Sequence, residues 1–120
     1  MARLATVTAA GRPHLVPCTF CLDGESAFTA VDAKPKSTMA LRRLDNVRAN
    51  PWATLLVDHY DHDWSQLWWV RVDGPARVWE AGPDRERALD LLAAKYPQYR
   101  ATRPPGPVIE VRIERWRSWP

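Results

Sequence analysis

The sequence predicts one small domain, mainly β with two helices, in which six antiparallel strands form a β-barrel. Its 120 residues are enough for one modest hydrophobic core and too few for two independent ones. Stretches of alternating apolar and polar residues, bounded by turn signals, indicate strands, and two stretches change to a helical period. A barrel removes the exposed edges that an open sheet of this size would leave.

Turn signals divide the strands. Asp23-Gly24 is typical of a tight hairpin, and Asp73-Gly74-Pro75 breaks or bulges the fifth strand before the chain continues in extended form. We expect the first three strands to form an antiparallel meander and the sixth to point Ile109, Val111 and Ile113 inward. The six predicted strands cover residues 3–8, 14–22, 26–31, 52–60, 67–72 and 108–116.

Two segments have the 3.6-residue period of amphipathic helices. The first covers residues 37–50 and ends at Pro51. The second covers residues 83–96, has Pro83 in its first turn, and ends before Pro97. The pattern places one helix after the third strand and the other after the fifth.

The connection between the third strand and the first helix, Ala30–Thr38, is a candidate anion site. It contains Lys34 and Lys36, two of the three lysines in the chain. Unpaired N–H groups and the positive end of the dipole attract an anion to a helix start, where Ser37 and Thr38 can add contacts. The alternative interpretation is a solvated loop with a good N-cap.

Composition argues against two classes of partner. The net charge of +3 is small and its arginines are scattered, which does not predict nucleic-acid binding. No apolar stretch approaches the roughly 20 residues of a membrane span, and the N-terminus lacks a signal-peptide pattern. We therefore expect a cytoplasmic protein that binds neither nucleic acid nor membrane.

Two pairs of residues have the chemistry of metal or redox sites. Cys18 and Cys21 are expected to be unpaired and partly buried, because an odd separation along a strand sends two side chains to opposite faces. His59 and His62 lie among aspartates, but a metal site needs ligands that converge. We prefer a polar loop there and expect no metal.

Seven tryptophans are many for this length, and they suggest a surface that needs a partner. Trp64, Trp68 and Trp69 could stack on single-stranded nucleic acid. Packing in the core and in a dimer is the preferred interpretation, because Trp68 and Trp69 would face opposite sides of a strand.

The sequence resembles the pyridoxamine 5′-phosphate oxidase-like flavin and deazaflavin proteins, which have the split β-barrel fold. The resemblance rests on the order and spacing of five segments, which are Leu4–Val7, Gly11–Pro17, Phe28–Lys36, Asn50-Pro51 and Val70–Val78. It is greatest for the actinobacterial branch that uses the deazaflavin coenzyme F420 in place of FMN. The resemblance implies a homodimer with two cofactor sites at its interface, and hydride transfer between F420 and a small organic substrate.

The resemblance also implies which residues bind the cofactor. In the family, a basic pair near the start of the first helix holds the cofactor phosphate. Counting forward from the third strand gives Lys34 and Lys36, whereas counting back from Asn50-Pro51 gives Arg42 and Arg43, and both assignments stay open. The other implied contacts are Ser37 and Thr38 at the phosphate, and Pro17, Thr19, Thr29, Ala30, Val31 and Asp32 along the ring system.

Two departures from the family pattern bear on activity. Trp69 stands where the FMN oxidases place a glutamine against the flavin, which favours a different ring or pose. The chain ends in Trp116–Pro120 instead of an Arg-Leu-x-Pro motif, so pyridoxamine phosphate is not the expected substrate. His59 and Tyr60 are the only candidates for catalysis, since a strand end could bring them to a ring. An FMN-dependent reductase or oxidase, and a non-catalytic flavin, F420 or haem binder, are the alternatives.

Overall fold

The structure, a computed structural model, describes residues 1–31 and 38–120, and for residues 38–41 the backbone alone. The described chain contains three α-helices, eight strands and one short 3₁₀ turn at Trp64–Gln66. The helices are α1 (Thr38–Ala49), α2 (Pro83–Lys95) and α3 (Pro97–Ala101). The strands are β1 (Ala2–Val7), β2 (Pro13–Cys18), β3 (Cys21–Asp23), β4 (Ser26–Ala30), β5 (Trp52–His59), β6 (Trp68–Trp79), β7 (Val108–Arg112) and β8 (Arg115–Trp119).

The strands form one antiparallel sheet in the order β2-β1-β5-β6-β7-β4-β3, and β8 also pairs with β6. The mainly β, antiparallel prediction is confirmed. The prediction of six strands is wrong, since the sheet has eight. Within the described residues no ladder joins β2 to β3 at the two ends of this order, so a closed barrel is not confirmed.

The predicted second strand is two strands, because the chain leaves the ladder at Phe20. The Phe20 N–H donates to the Tyr96 hydroxyl, and the Phe20 carbonyl accepts from that hydroxyl and from Lys95 Nζ. Side chains at the end of α2 thus replace ladder partners. The expected meander is wrong as well, because β1–β2 and β3–β4 are separate hairpins at opposite ends of the strand order.

Strand β6 continues through Gly74 without a break, whereas the predicted sixth strand is divided into β7 and β8. Residues 76–79 of β6 pair with β7 and residues 69–73 pair with β8. At the change of partner, a Cβ on Gly74 would lie 1.8 Å from the Arg112 carbonyl oxygen. Only glycine allows the two backbones to approach this closely.

Two clusters of buried side chains lie on the inner faces of the sheet. The larger contains Leu4, Leu55 and Val111 from the strands and is covered by Leu44 and Val47 of α1. The smaller lies under α2 and contains Cys21, Phe28, Ala30, Ala88, Leu89, Leu92, Tyr99 and Val108. The inward orientation predicted for Ile109, Val111 and Ile113 is confirmed, since all three are buried.

Both predicted helices are present, with ends that differ by at most one residue from those expected. Helix α3 was not expected, because Pro97 was interpreted only as the end of α2. Proline is also well suited to the first turn of a helix, and here it begins α3. No helix in the described part of the chain has the length and apolar character that crossing a membrane requires.

The cysteine prediction is correct in part. Cys18 and Cys21 are free thiols, but they are buried instead of partly buried. They lie on two strands, β2 and β3, so the argument from one strand with two faces does not apply. They belong to different clusters, Cys18 to the larger and Cys21 to the smaller.

Candidate functional site

A cavity of about 260 Å³ lies where β2, β4, α1 and α3 come together. Four of the predicted cofactor residues line it, namely Pro17, Thr19, Ala30 and Arg43. The other lining residues are Met1, Cys18 and Tyr99. Segments that are distant in the sequence therefore meet at one site.

The wall formed by Thr19 is held by a hydrogen bond to α3. Thr19 leaves the sheet just after β2, and its hydroxyl lies 2.7 Å from the Tyr99 hydroxyl. Tyr99 is in turn packed edge-on against Tyr96, with 5.7 Å between ring centroids. The break between β2 and β3 thus places a polar side chain at the cavity in a defined position.

Arg43, in the second turn of α1, supplies the positive charge. Its Nε atom is buried and has no hydrogen-bond acceptor among the described residues. A buried donor without an acceptor is unfavourable, and charged donors form stronger hydrogen bonds than neutral ones. The Arg43 Nε atom is therefore available to donate a hydrogen bond to a bound anion. Its neighbour Arg42 is exposed.

The pKa of His14, on β2, is affected by the positive charges of α1. Burial lowers the pKa of His14, and the positive charges of Arg42 and Arg43 lower it further. Its Nδ1 atom is buried without a partner in the described chain. An anion bound near the two arginines would offset their effect on the imidazole.

The Cys18 thiol is a neutral part of the cavity wall. Burial raises its pKa, while the Thr29 hydroxyl and the charge of Arg43 oppose this rise to a smaller extent. A thiol with a raised pKa carries little thiolate at neutral pH and is a poor nucleophile. The cavity is therefore suited to binding more than to covalent chemistry.

The remaining predicted residues fall into two groups. Thr29 and Val31 are buried, and the Val31 N–H donates to the Pro107 carbonyl at 3.3 Å. The second group lies outside the described residues and consists of Asp32, Lys34, Lys36, Ser37 and the side chain of Thr38. A phosphate contact from Lys34 or Lys36 thus stays a prediction.

Trp69 does not line this cavity within one chain. It borders a separate cavity of about 340 Å³, together with the candidate catalytic residues His59 and Tyr60. The His59 ring stacks on Trp68, with 6.1 Å between centroids. Over the described residues, no three or more His, Cys, Asp or Glu side chains come together as a metal site would require.

Sequence reasoning missed Met1, Cys18 and Tyr99 as cavity residues and His14 as their neighbour. Tyr99 was missed with its helix, although the three-residue spacing from Tyr96 is a helical signal. Met1 and Cys18 reach the cavity through the pairing of β1 with β2, in which Ala2 is opposite Cys18.

Comparisons with known proteins agree on the fold. A family model described as pyridoxamine 5′-phosphate oxidase matches residues 1–120. No curated protein matches the chain significantly.

Several solved structures share the architecture. The conserved hypothetical protein Rv2991 of Mycobacterium tuberculosis has 20% identity and a TM-score of 0.77, over 98% of this chain and 75% of the other. The haem storage protein HutZ of Vibrio cholerae has 18% identity and a TM-score of 0.67, over 98% and 83%. A Listeria innocua protein described provisionally as a pyridoxamine 5′-phosphate oxidase has 22% identity and a TM-score of 0.65, over 98% and 86%. These low identities establish the fold alone.

Proposed function

Because the chain belongs to the pyridoxamine 5′-phosphate oxidase family, we propose that it is an oxidoreductase that transfers hydride between coenzyme F420 and a small organic substrate. One observation carries the proposal. Arg43, with its unpaired Nε, lines a cavity together with Pro17, Thr19 and Ala30, which the family resemblance associates with the cofactor.

The cavity suits the phosphate end of such a cofactor. Binding sites for small molecules and cofactors usually have volumes of about 300–1,000 Å³, so the cavity of about 260 Å³ can hold only part of one. Arg43 would hold the phosphate, which is the group that its unpaired donor fits. We propose that a second copy of the chain covers the rest of the cofactor in a homodimer.

The cofactor supplies the hydride chemistry, and the chain supplies binding, orientation and exclusion of water. Pro17 and Ala30 give the cavity an apolar surface against which a flat heterocycle would pack. The hydrogen bond between Thr19 and Tyr99 fixes the position of the polar side chains that line the cavity. Cys18 stays a neutral thiol. No catalytic acid or base is assigned, and a role for His59 or Tyr60 would require the second subunit to bring its own copy to the ring.

Haem binding is a second candidate function. A haem storage protein has the same fold. His59 and His62 present exposed imidazoles next to aromatic rings at the end of β5, and imidazole is a common axial ligand of haem iron. A non-catalytic haem or flavin binder would use the same fold without a hydride acceptor.

The test is an anaerobic titration of the protein with oxidised and reduced F420, with FMN and haem titrated in parallel. We expect micromolar binding of F420. Arg43→Ala should weaken it by about tenfold to a hundredfold, the usual loss for a hydrogen bond to a charged group. Arg12→Ala, in the exposed turn between β1 and β2, is the matched control and should bind F420 as the wild type does.

Other outcomes would change the proposal. Micromolar or tighter FMN binding without any response to F420 would replace F420 by FMN as the cofactor. Haem binding without binding of either flavin-type cofactor would support the second candidate. Unchanged affinity in Arg43→Ala, with a loss in a Lys34→Ala, Lys36→Ala double variant, would move the phosphate to the two lysines.

A further inference from the structure

An apolar cavity of about 200 Å³ lies between two facing parts of the sheet. One wall is a row of three side chains, Leu55 on β5, Val72 on β6 and Trp116 on β8, which lie directly opposite one another across the strands. The other wall is the opposed pair of Leu22 and Ala27 in the β3–β4 hairpin. Residues directly opposite each other share one face of a sheet, so the cavity lies between two inner faces.

This cavity differs from the two places that the proposed function uses. It shares no described lining residue with the cavity at Arg43. Trp68, Val70 and Val72 of β6 line it, and Trp69 does not. Successive side chains of a strand point to opposite faces, so a ligand here would lie on the opposite side of β6 from Trp69. Only at the end of the strand does one described residue, Trp68, border both this cavity and that of Trp69.

The floor of the cavity is buried and its mouth is open to solvent. Ala2 and Ala27 are both 0% exposed, and their methyl side chains are too short to fill the space above them. At the mouth, Leu22, Trp68 and Trp116 are between 42% and 51% exposed. A small molecule therefore has a way in from solvent and a buried end to occupy.

The lining of the cavity has no chemistry for a polar ligand. Every described residue that lines it has an apolar side chain, apart from the indole N–H groups of Trp68 and Trp116. A hydroxyl or a charged group placed inside would lose its water and gain no partner. Apolar cavities stay dry, and an engineered cavity of about 150 Å³ lined by aliphatic and aromatic side chains binds benzene. A ligand without polar groups would restore the dispersion contacts that empty space denies to the lining atoms.

We propose that this cavity binds a small uncharged molecule consisting of a hydrocarbon ring of the size of benzene or toluene. The ring lies between the wall at Val72 and the wall at Ala27, with Trp116 at the mouth. The volume of about 200 Å³ excludes a whole flavin-sized molecule, since cofactor sites usually have about 300–1,000 Å³. The protein thus has a hydrocarbon site in addition to the proposed cofactor site.

The experiment is an NMR titration of the full chain, without added cofactor, with toluene and with phenol, which have nearly the same shape. We expect toluene to give saturable shifts of the Leu55 and Val72 methyl signals. Phenol should bind at least about tenfold more weakly, because its hydroxyl finds no partner. Since these signals belong to this cavity and no F420 is present, failure of the proposed F420 binding would not alter the result.

Two matched variants introduce the same side chain inside and outside the cavity. Val57, partly buried on β5, lines the cavity, so Val57→Phe fills it and should weaken toluene binding by at least about tenfold. Val7→Phe is the control. Val7 is 39% exposed on β1 and does not line the cavity, so this variant should bind toluene as the wild type does.

Three results would overturn the proposal. The first is phenol binding as tight as that of toluene. The second is toluene binding that Val57→Phe leaves unchanged. The third is conversion of a dimer to a monomer in step with toluene binding, measured by sedimentation, which would make a side chain of a second copy the occupant of the cavity.

A wild-type measurement keeps the proposal testable if Val57→Phe fails to fold. Nuclear Overhauser effects should connect bound toluene to the methyl groups of Leu55 and Val72. They should not connect it to those of Leu15, which is 66% exposed on β2 and lies outside the cavity. Effects of equal size at Leu15 would show general adhesion of toluene to apolar surface and would contradict the proposal.

Discussion

At the scale of single residues, burial and hydrogen-bond partners decide what each side chain can do. Arg43 has a buried donor with no acceptor among the described residues, which favours an anionic ligand. Burial has the opposite consequence for the two thiols, which it makes less reactive. Burial raises the pKa of Cys18 and raises that of Cys21 to about 11, where the positive charge of Lys95 only partly opposes it. The thiols are therefore structural.

The raised pKa of both thiols predicts slow alkylation of the native protein. At pH 8, a thiol with a pKa of about 11 has roughly one thousandth of its molecules as thiolate, and thiolate is the reactive form. We expect iodoacetamide to label neither cysteine of the native chain within the time that labels both in denaturant. Mass spectrometry after timed quenching measures the extent of labelling. Rapid labelling of Cys21 in the native protein would contradict the burial that raises its pKa.

At the scale of elements, the fold depends on β6, which belongs to both ladders of the sheet. Its residues 69–73 pair with β8 and its residues 76–79 pair with β7. The change of partner occurs at Gly74, where the Arg112 carbonyl leaves no room for a side chain. The hydrogen bond from the Glu114 N–H to the Asp73 carbonyl, 3.0 Å long, closes the same crossing.

Gly74→Ala should therefore destabilise the protein strongly. The added Cβ would lie 1.8 Å from a backbone oxygen, so the strands must separate, and we expect a loss of about 3 kcal/mol or more in the free energy of unfolding. Urea denaturation followed by circular dichroism measures the loss. Gly106→Ala is the control, because its Cβ would lie at an ordinary 3.6 Å from Val31 Cβ and should change stability little.

At the scale of the whole molecule, the tryptophans indicate an incomplete surface. None of the seven, all of which are in the described part of the chain, is buried. Trp52, Trp64, Trp68, Trp116 and Trp119 are between 42% and 69% exposed. Large exposed apolar side chains are enriched at protein interfaces, which supports the proposed homodimer.

The homodimer predicts a solution mass of about twice the 13.7 kDa of one chain. Sedimentation equilibrium at tens of micromolar protein measures it. Because the cofactor is proposed to lie between subunits, adding F420 should also lower the dissociation constant of the dimer. A mass of one chain, both with and without F420, would contradict the proposed interface.

The sequence could predict the features that depend on local pattern. Alternation was sufficient to orient Ile109, Val111 and Ile113, and helical periodicity was sufficient to find α1 and α2. The sequence could not predict the break after β2, because the hydroxyl that hydrogen-bonds the Phe20 backbone belongs to Tyr96, 76 residues later. Tyr99 enters the candidate site through a tertiary contact of the same kind.

The family resemblance, more than periodicity, identified Pro17, Thr19, Ala30 and Arg43. Spacing along the sequence allowed two alternatives for the basic pair. The structure adds the burial of the Arg43 Nε atom and the place of Arg43 in the cavity wall, which no sequence pattern contains.

The most direct test of the central claim is a crystal structure of the protein grown or soaked with F420. We expect the cofactor phosphate within hydrogen-bond distance of Arg43 Nε, with the ring system running past Pro17, Thr19 and Ala30 towards a second subunit. A cofactor phosphate bound elsewhere, with the cavity at Arg43 left to solvent, would contradict the account.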